Sequence, residues 1–314
     1  MQVSDRIGRR IKLHDLHVLM AVVQAGSMNK AAALLNTGQS AISRSIAELE
    51  HTIGVRLVDR NPQGVELTRY GRALLDGGAS VFDDLRQAVK NIEFLADPTA
   101  GELRIGSSNT LATSFVSAVI DRLSRQYPRI VFHLVTATAE TLRRELTARN
   151  VDLLIARSLG SIADERLSFE FLLDESYVVA AGAQHPWARR RRIELAELVS
   201  ESWVLPPPGG VIWSVAMEAF RASGLDYPRA TVFTALPEVR INLLATGRFL
   251  TIFSASLLKF PTGRPELKVL PVELPMARTS IGIVTLKNRT LNPVAQLFID
   301  CAREVAKPLA QRKK

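Results

Sequence analysis

Residues 27–50, SMNKAAALLNTGQSAISRSIAELE, constrain the fold of this chain more than any other stretch. Two short helical patterns flank a tight turn at Asn36-Thr37-Gly38, residue types that favour turns over regular structure. The first pattern carries Ala31, Ala32 and Leu35 on one side. In the second, Ile42, Ile46 and Leu49 recur at spacings of four and three, which stacks them on one stripe for burial. Ser40, Ser43, Arg44 and Ala47 then fall on the opposite face. That face is small and hydroxyl-bearing with one guanidinium, unlike a merely solvated Glu/Lys surface. It suits a DNA major groove, where hydroxyls and arginine reach base edges.

The flanking sequence extends the pattern. A helix is predicted over about Leu13–Ala25, with Leu16, Leu19, Met20 and Val23 on one side, ended by Gly26 in a left-handed conformation. Ser27 can cap the next helix, and the third begins at Gln39 with Gly38 or Thr37 as its cap. After Gly54, two short extended runs enclose Asn61-Pro62-Gln63-Gly64, a turn signal. These runs form a wing that brings Arg56, Arg60 and Arg69 towards phosphates. Ser27, Met28 and Asn29, with Gln39, Ser40, Ser43 and Arg44, complete the candidate DNA contacts. The plainer alternative is a helical hairpin that packs on another element, because helix-turn-helix geometry alone is a weak signal.

From about Leu67 to Ala96 the pattern is one long helix. Leu75, Gly78, Phe82, Leu85, Val89, Ile92 and Ala96 follow a 3-4 spacing, the seam of a coiled coil. Gly77-Gly78 interrupts it and marks a kink or a close helix approach. A seam between a winged domain and Asp97-Pro98 reads as a dimerising linker; the alternative is a helix packed on its own domain. A dimer places two reading helices on a two-fold DNA site.

The series from Ala21 to Gly71, AVVQAGSMNKAAALLNTGQSAISRSIAELEHTIGVRLVDRNPQGVELTRYG, resembles the N-terminal domain of LysR-type transcriptional regulators over roughly sixty residues. The resemblance rests on Gly26-Ser27 before an alanine-rich helix, on Gln39 to Arg44, and on Ile46, Leu49-Glu50, Gly54, Leu57, Arg60 and Leu67-Thr68. Three positions depart from the family pattern: Val58 stands for Phe, Gly38 for Ser or Thr, and Gln63 for a wing-tip arginine. The resemblance also implies the dimerising role of the linker.

After Gly101, strand and helix patterns alternate. Strands are expected at Leu103–Gly106, Ile130–Val135 and Val151–Ala156, with helices over Leu111–Tyr127 and Ala139–Arg149. A second cluster runs through Ser176–Ala181, Trp203–Leu205, Val211–Ser223, Ala230–Phe233, Glu238–Ala245 and Phe249–Phe253, before Arg278–Leu286 and a last helix. Such alternation predicts an open, mainly parallel α/β sheet. The clusters suggest twin subdomains joined by connections near 161–164 and 265–270. This half is similar to the family's effector domain, itself similar to periplasmic binding proteins. The expected organisation is a winged helix-turn-helix at 11–68, a dimerising linker helix at 69–97 and an α/β effector domain at 98–314. Subdomain I takes about 101–162 and 268–314, and subdomain II about 163–267.

Ligands of open α/β sheets sit at the carboxyl ends of the strands. The candidates there are Ser107, Ser108, Asn109 and Thr110, then Thr136 and Thr138, then Arg157, and Pro208 and Gly209 in a stiff loop of the second subdomain. Hydroxyls, free N–H groups and a guanidinium suit an anion. Their bland reading is as helix caps, with Arg157 paired to Asp164 or Glu165. By the family resemblance, Ser108 and Thr110 match the effector-contacting turn.

The net charge of +9 fits a polyanionic partner, but the excess is spread. Residues 1–72 hold ten Lys/Arg against six Asp/Glu, and residues 97–314 hold 28 against 21. The basic run Arg189–Arg192 reads as a solvated loop. A single cysteine, Cys301, excludes an intramolecular disulfide and a Cys-based metal cluster, and reads as a packed thiol. The N-terminus lacks a signal-peptide core and no apolar run reaches eighteen residues, so a cytoplasmic, nucleoid-associated protein without a membrane partner is expected. G-x-S-x-G, P-loop and H-E-x-x-H motifs are absent. The expectation is a regulator, not an enzyme, with no cofactor beyond a small, anionic co-inducer. Its partners are double-stranded promoter DNA, itself as homodimer or homotetramer, and RNA polymerase if it activates. The alternatives are an enzyme or transport protein using only the cleft, or a constitutive DNA binder without effector.

Overall fold

The computed structural model describes residues 10–61, 64–158, 164–259, 266–275 and 279–310. The chain divides into two units, 1–87 and 88–314.

The first unit is built on helices α1 (Leu13–Ala25), α2 (Met28–Leu34) and α3 (Gln39–Ile53), then strands β1 (Val58–Asn61) and β2 (Gly64–Leu67). Gly26 closes α1 at φ 69°, and the Ser27 hydroxyl accepts from the Lys30 amide at 3.2 Å to cap α2. Gly38 caps α3 without a side-chain bond. The stripe Ile42, Ile46 and Leu49 is buried against Val18, Leu19, Val22, Ala31 and Ala32. The buried face of α1 is therefore rotated from the expected one. Val18, Ala21 and Val22 join Leu16 and Leu19, while Met20 and Val23 are only half-buried.

β1 and β2 pair antiparallel as the wing. Its base is fixed by the Glu50 carboxylate, which accepts from the Leu57 and Val58 amides at 2.7 and 3.1 Å. Thr68 then starts α4 (Arg69–Ala96): its hydroxyl accepts from the Gly71 amide at 3.0 Å and donates to the Arg56 carbonyl at 2.8 Å. α4 is one unbroken helix, so Gly77-Gly78 produces no break. The close approach lies elsewhere. A Cβ on Gly71 would stand 2.0 Å from the Leu57 carbonyl oxygen, whereas one on Gly78 would meet Leu16 at an ordinary 3.6 Å.

The second unit holds two five-stranded sheets. The first has the order β4-β3-β5-β12-β6, from β3 (Ala100–Ser107), β4 (Arg129–Thr136), β5 (Leu153–Arg157), β6 (Leu167–Glu175) and β12 (Thr279–Leu286). The second has the order β11-β7-β10-β8-β9, from β7 (Tyr177–Gly182), β8 (Trp203–Leu205), β9 (Ala230–Phe233), β10 (Leu250–Ser254) and β11 (Leu267–Val269). In each sheet four strands share a direction and one runs against them. Because the reversed strands, β12 and β7, each lie between two neighbours, the pairings divide evenly between parallel and antiparallel. The expected mainly parallel sheet is thus two mixed sheets.

β6 and β11 move the lobe boundaries from their expected places. β6 bonds along its length to β12 in the first sheet, and β11 bonds to β7 in the second. The chain crosses between lobes at Glu175-Ser176-Tyr177, and again between β11 and β12. The expected crossings near 161–164 and 265–270 do not fit this topology, and 161–163 and 265 lie outside the described residues.

Helices cover these sheets. α5 (Asn109–Leu111), a π-helical turn at Ala112–Val116 and α6 (Ser117–Gln126) run on without interruption, and α7 (Ala139–Thr147) follows β4. α11 (Pro293–Ala310) packs Val294, Phe298 and Ile299 into the core of the first lobe with Phe115 and Leu103. Asp152 and Arg289 form a buried ion pair at 3.0 Å, and Arg289 also donates to the Val151 carbonyl at 2.8 Å. In the second lobe α8 (Val211–Ala222) and α9 (Pro237–Ala245) cover opposite cores, centred on Trp203 and Phe220 and on Leu244 and Phe253. α10 (Ala255–Lys259) packs against the helical segment 109–116 of the first lobe.

Candidate functional site

Burying the α3 stripe sends the other face outward. Gln39, Ser40, Arg44 and Ala47 are exposed and Ser43 is half-buried, with Gln39 Nε2 donating to Ser43 Oγ at 3.5 Å. Asn29 is exposed at the start of α2, and Arg56 and Arg69 are exposed beside the wing. Arg69 stacks over the Tyr70 ring at 4.6 Å and donates to its hydroxyl. The Arg60 side chain and Gln63 lie outside the described residues. Met28 is a correction: it is buried in the three-helix core, because the cap at Ser27 turns this first helical residue inward. Lys30, exposed on the same α2 turn as Asn29, is a further cation that the sequence pattern did not single out. Its signal was its place one turn after a helix cap.

The carboxyl ends of β3 and β5 meet in the first lobe. Ser108 caps α5, and its hydroxyl accepts from Arg157 Nη1 at 3.4 Å. Arg157 is 7% exposed, and its Nε and Nη2 have no hydrogen-bond partner. Its acidic neighbour is Glu175, at 3.8 Å from Nη2, and neither Asp164 nor Glu165. Asp164 is engaged by Arg166 at 2.9 Å and Arg143 at 3.6 Å, and the hydrogen bond from Arg166 leads in holding its carboxyl down at about 2. Ser107 is a second correction. Its hydroxyl is fully buried and donates to the Ile155 carbonyl at 2.9 Å, so it stitches β3 to β5.

The remaining candidates separate by exposure. Thr110 is buried, and its carbonyl accepts from Ser114 Oγ at 2.6 Å. Asn109 is half-buried. Thr136 is exposed, as is Thr138, whose hydroxyl accepts from the Thr141 amide at 3.4 Å to cap α7. Pro208 and Gly209 are exposed in the loop before α8, where Gly209 takes φ 87°.

A polar chain missed at the sequence level joins the lobes. Glu175 accepts from the Ser256 amide at 3.1 Å and the Ser256 hydroxyl at 2.6 Å. Tyr177 bonds Thr279 at 2.7 Å, and burial pushes its phenol up. Arg240 on α9 is 1% exposed, lies 4.6 Å over the Phe253 ring and donates to the Ile252 carbonyl at 3.1 Å, while its Nε has no hydrogen-bond partner. Burial, and then repulsion from Arg157, lowers its pKa to about 10. Nothing in the pattern of α9 distinguishes Arg240 from a surface arginine. Cys301 is half-buried, and burial raises its thiol pKa. Among the described residues, no group of three or more His, Cys, Asp or Glu could hold a metal ion, and no helix is long and apolar enough to cross a membrane.

A winged reading head followed by a long helix and a two-lobed α/β domain defines a DNA-binding regulator with a ligand-sensing half. Two family models cover those parts: the bacterial regulatory helix-turn-helix protein, lysR family, at residues 13–72, and the LysR substrate binding domain at 96–307. The chain belongs to the LysR family of transcriptional regulators. It is 27% identical over 297 residues to the HTH-type transcriptional regulator GbpR of Azospirillum brasilense, covering 94% of this chain and 86% of that one. It is also 27% identical over 290 residues to the transcriptional dual regulator GltC of Bacillus subtilis (strain 168), covering 92% and 96%. A full-length OxyR variant from Pseudomonas aeruginosa shares the fold, with a TM-score of 0.68 at 19% identity over 97% of this chain and 99% of that one. LysR-family regulators are DNA-binding proteins rather than enzymes, and oligomerisation is typical of them.

Proposed function

We propose that this regulator reads promoter DNA through the outward face of α3 and is modulated by a small anionic effector held between its lobes. The observation that carries the effector reading is Arg157. A nearly buried guanidinium with two N–H-bearing nitrogens lacking a hydrogen-bond partner is costly unless an anion completes it. Ser108 contacts it at 3.4 Å, Asn109 and Thr110 follow Ser108 in the chain, and Thr136, Thr138, Pro208 and Gly209 are further polar or backbone groups at strand and loop ends. Binding there alters the preference between lobe arrangements, and so promoter occupancy. The protein acts as a homodimer or homotetramer on double-stranded DNA, and engages RNA polymerase where it activates.

Isothermal calorimetry with a panel of organic acids tests the effector half. Equal binding by wild type and a Ser108→Ala/Arg157→Ala variant would refute the site. For the DNA half, Arg44→Ala should lose about 1–3 kcal/mol of discrimination between operator and scrambled duplex. Unchanged discrimination in a titrated gel shift would leave Arg44 without a base contact.

A further inference from the structure

The run Arg189–Arg192 belongs to neither site described above, and it stands at the far end of the second lobe. β7 leaves the lobe crossing at Tyr177 and ends at Gly182, about 17 Å further on at the rise of a strand. Buried His185 then caps a 3-10 turn at Pro186–Arg189, its Nδ1 accepting from the Trp187 amide at 3.3 Å. Arg190 leaves the turn in extended backbone, at φ −78° and ψ 143°, and Ile193 is again buried in the core. All four arginines are therefore exposed on a short segment that is anchored at both ends. A Cβ on Gly247 would stand 3.4 Å from Gln184 Cβ, so the loop that carries exposed Arg248 packs beside the same segment.

The acids that follow the run are engaged elsewhere. Glu194 and Glu197 cap each other's backbone, with the Glu194 amide donating to Glu197 at 2.8 Å, and Glu201 accepts from the Trp187 indole at 2.7 Å. Among the described residues none of the four arginines has an ion pair, and Arg190 lies over the Trp187 ring at 5.6 Å. Exposed arginines elsewhere in this unit do meet carboxylates: Arg125 and Asp121 at 2.9 Å, Arg166 and Asp164 at 2.9 Å, Arg303 and Glu170 at 2.7 Å. Adjacent unpaired guanidiniums repel one another, which favours a polyanion that neutralises several at once. The surroundings choose its class. An acidic protein needs an apolar patch for the core of its interface. Here Ile193, Leu195 and Leu198 are buried, and the Trp187 ring and N–H are already occupied. A phosphate backbone needs only the charges. We propose that Arg189–Arg192 is a second DNA-contacting surface of this regulator, one that grips the phosphates of duplex DNA without reading bases. It adds affinity on every sequence alike, separate from the discrimination proposed for the α3 face.

The test titrates the full-length protein against a labelled random-sequence duplex, several helical turns long, by fluorescence anisotropy over a series of potassium chloride concentrations. Changing all four arginines to Gln should lower the slope of log K against log salt by about 0.9 for each phosphate given up, roughly 2–4 in total. Changing all four to Lys should keep the slope, because an ammonium also neutralises a phosphate. Arg191→Gln/Arg192→Gln spares the Trp187 stack and should lower the slope by roughly 1–2, which decides the matter if the fourfold Gln variant fails to fold. An unchanged slope in both Gln variants would overturn the proposal. So would an equal fall in the Gln and Lys variants, which would make the loss structural. Poly-glutamate tests the rival partner. If the Gln variants lose binding to it while their DNA slope holds, the run faces an acidic protein and the proposal falls. None of these outcomes bears on Arg44, whose readout is discrimination between sequences.

Discussion

Gly71 and Gly77 lie six residues apart on the same helix, yet the structure gives them opposite roles. At Gly71 a Cβ would stand 2.0 Å from the Leu57 carbonyl oxygen and 2.8 Å from Leu67, so α4 can approach the wing base only there without a side chain. Gly77 has nothing within 4 Å of its would-be Cβ. Gly71→Ala should therefore destabilise the first unit by about 1–3 kcal/mol through overpacking. Gly77→Ala should stabilise it by roughly 0.5–1 kcal/mol through helix propensity. Thermal melts of the two variants should move in opposite directions, and a shared direction would discount the close approach. At the same scale, Met28 and Ser107 show why candidates chosen by residue type go astray. Each is next to a less buried residue, Asn29 or Ser108, and a single step along a helix or strand turns the side chain into the core.

Along the linker helix, the heptad seam divides in two. Gly78 meets Leu16, and Phe82 stacks edge-on against His17 with centroids 5.9 Å apart, so this part of the seam is used within the first unit. Further on, Leu85, Val89 and Ile92 are 45%, 54% and 66% exposed. An apolar row of this kind on a helix suits a second copy of the same helix. Leu85→Asp/Ile92→Asp should shift the protein towards monomer in sedimentation velocity while leaving the first unit folded. A variant that remains dimeric would assign the interface elsewhere. Phe82→Asp is a poorer probe, because it also breaks the contact with His17. In the first lobe, Arg289 ties the loop before α11 to Asp152. Arg289→Met leaves that carboxylate buried without its cation, and should cost about 3–5 kcal/mol in denaturant unfolding.

Across the whole molecule the charge excess is spread over both ends of the chain. Residues 1–72 hold ten Lys/Arg against six Asp/Glu, and Arg56 and Arg69 stand exposed at the wing. An Arg56→Gln/Arg69→Gln variant should bind all duplexes more weakly, with the slope of log K against log salt falling by about 1 for each phosphate that is no longer neutralised. An unchanged slope would mean that neither arginine meets the backbone. In the C-terminal unit, Arg157 and Arg240 are cations held away from water, 7% and 1% exposed.

The sequence alone determined the three helices and wing, because Ile42, Ile46 and Leu49, the cap at Ser27 and the left-handed Gly26 act within a few residues of one another. It also revealed two α/β clusters, and it singled out Ser108 and Arg157 from their place at strand ends. It could not place β6 and β11, whose partners lie far along the chain, so the lobe boundaries fell in the wrong loops. Nor could it find the contacts of Arg240, Glu175 or Ser256, since these join residues remote in sequence that meet only in the folded chain. Local periodicity decides which face of an element is buried. What that face is buried against, and whether a charge within it has a partner, was decided by the tertiary structure, because desolvation and ion pairing depend on neighbours in space.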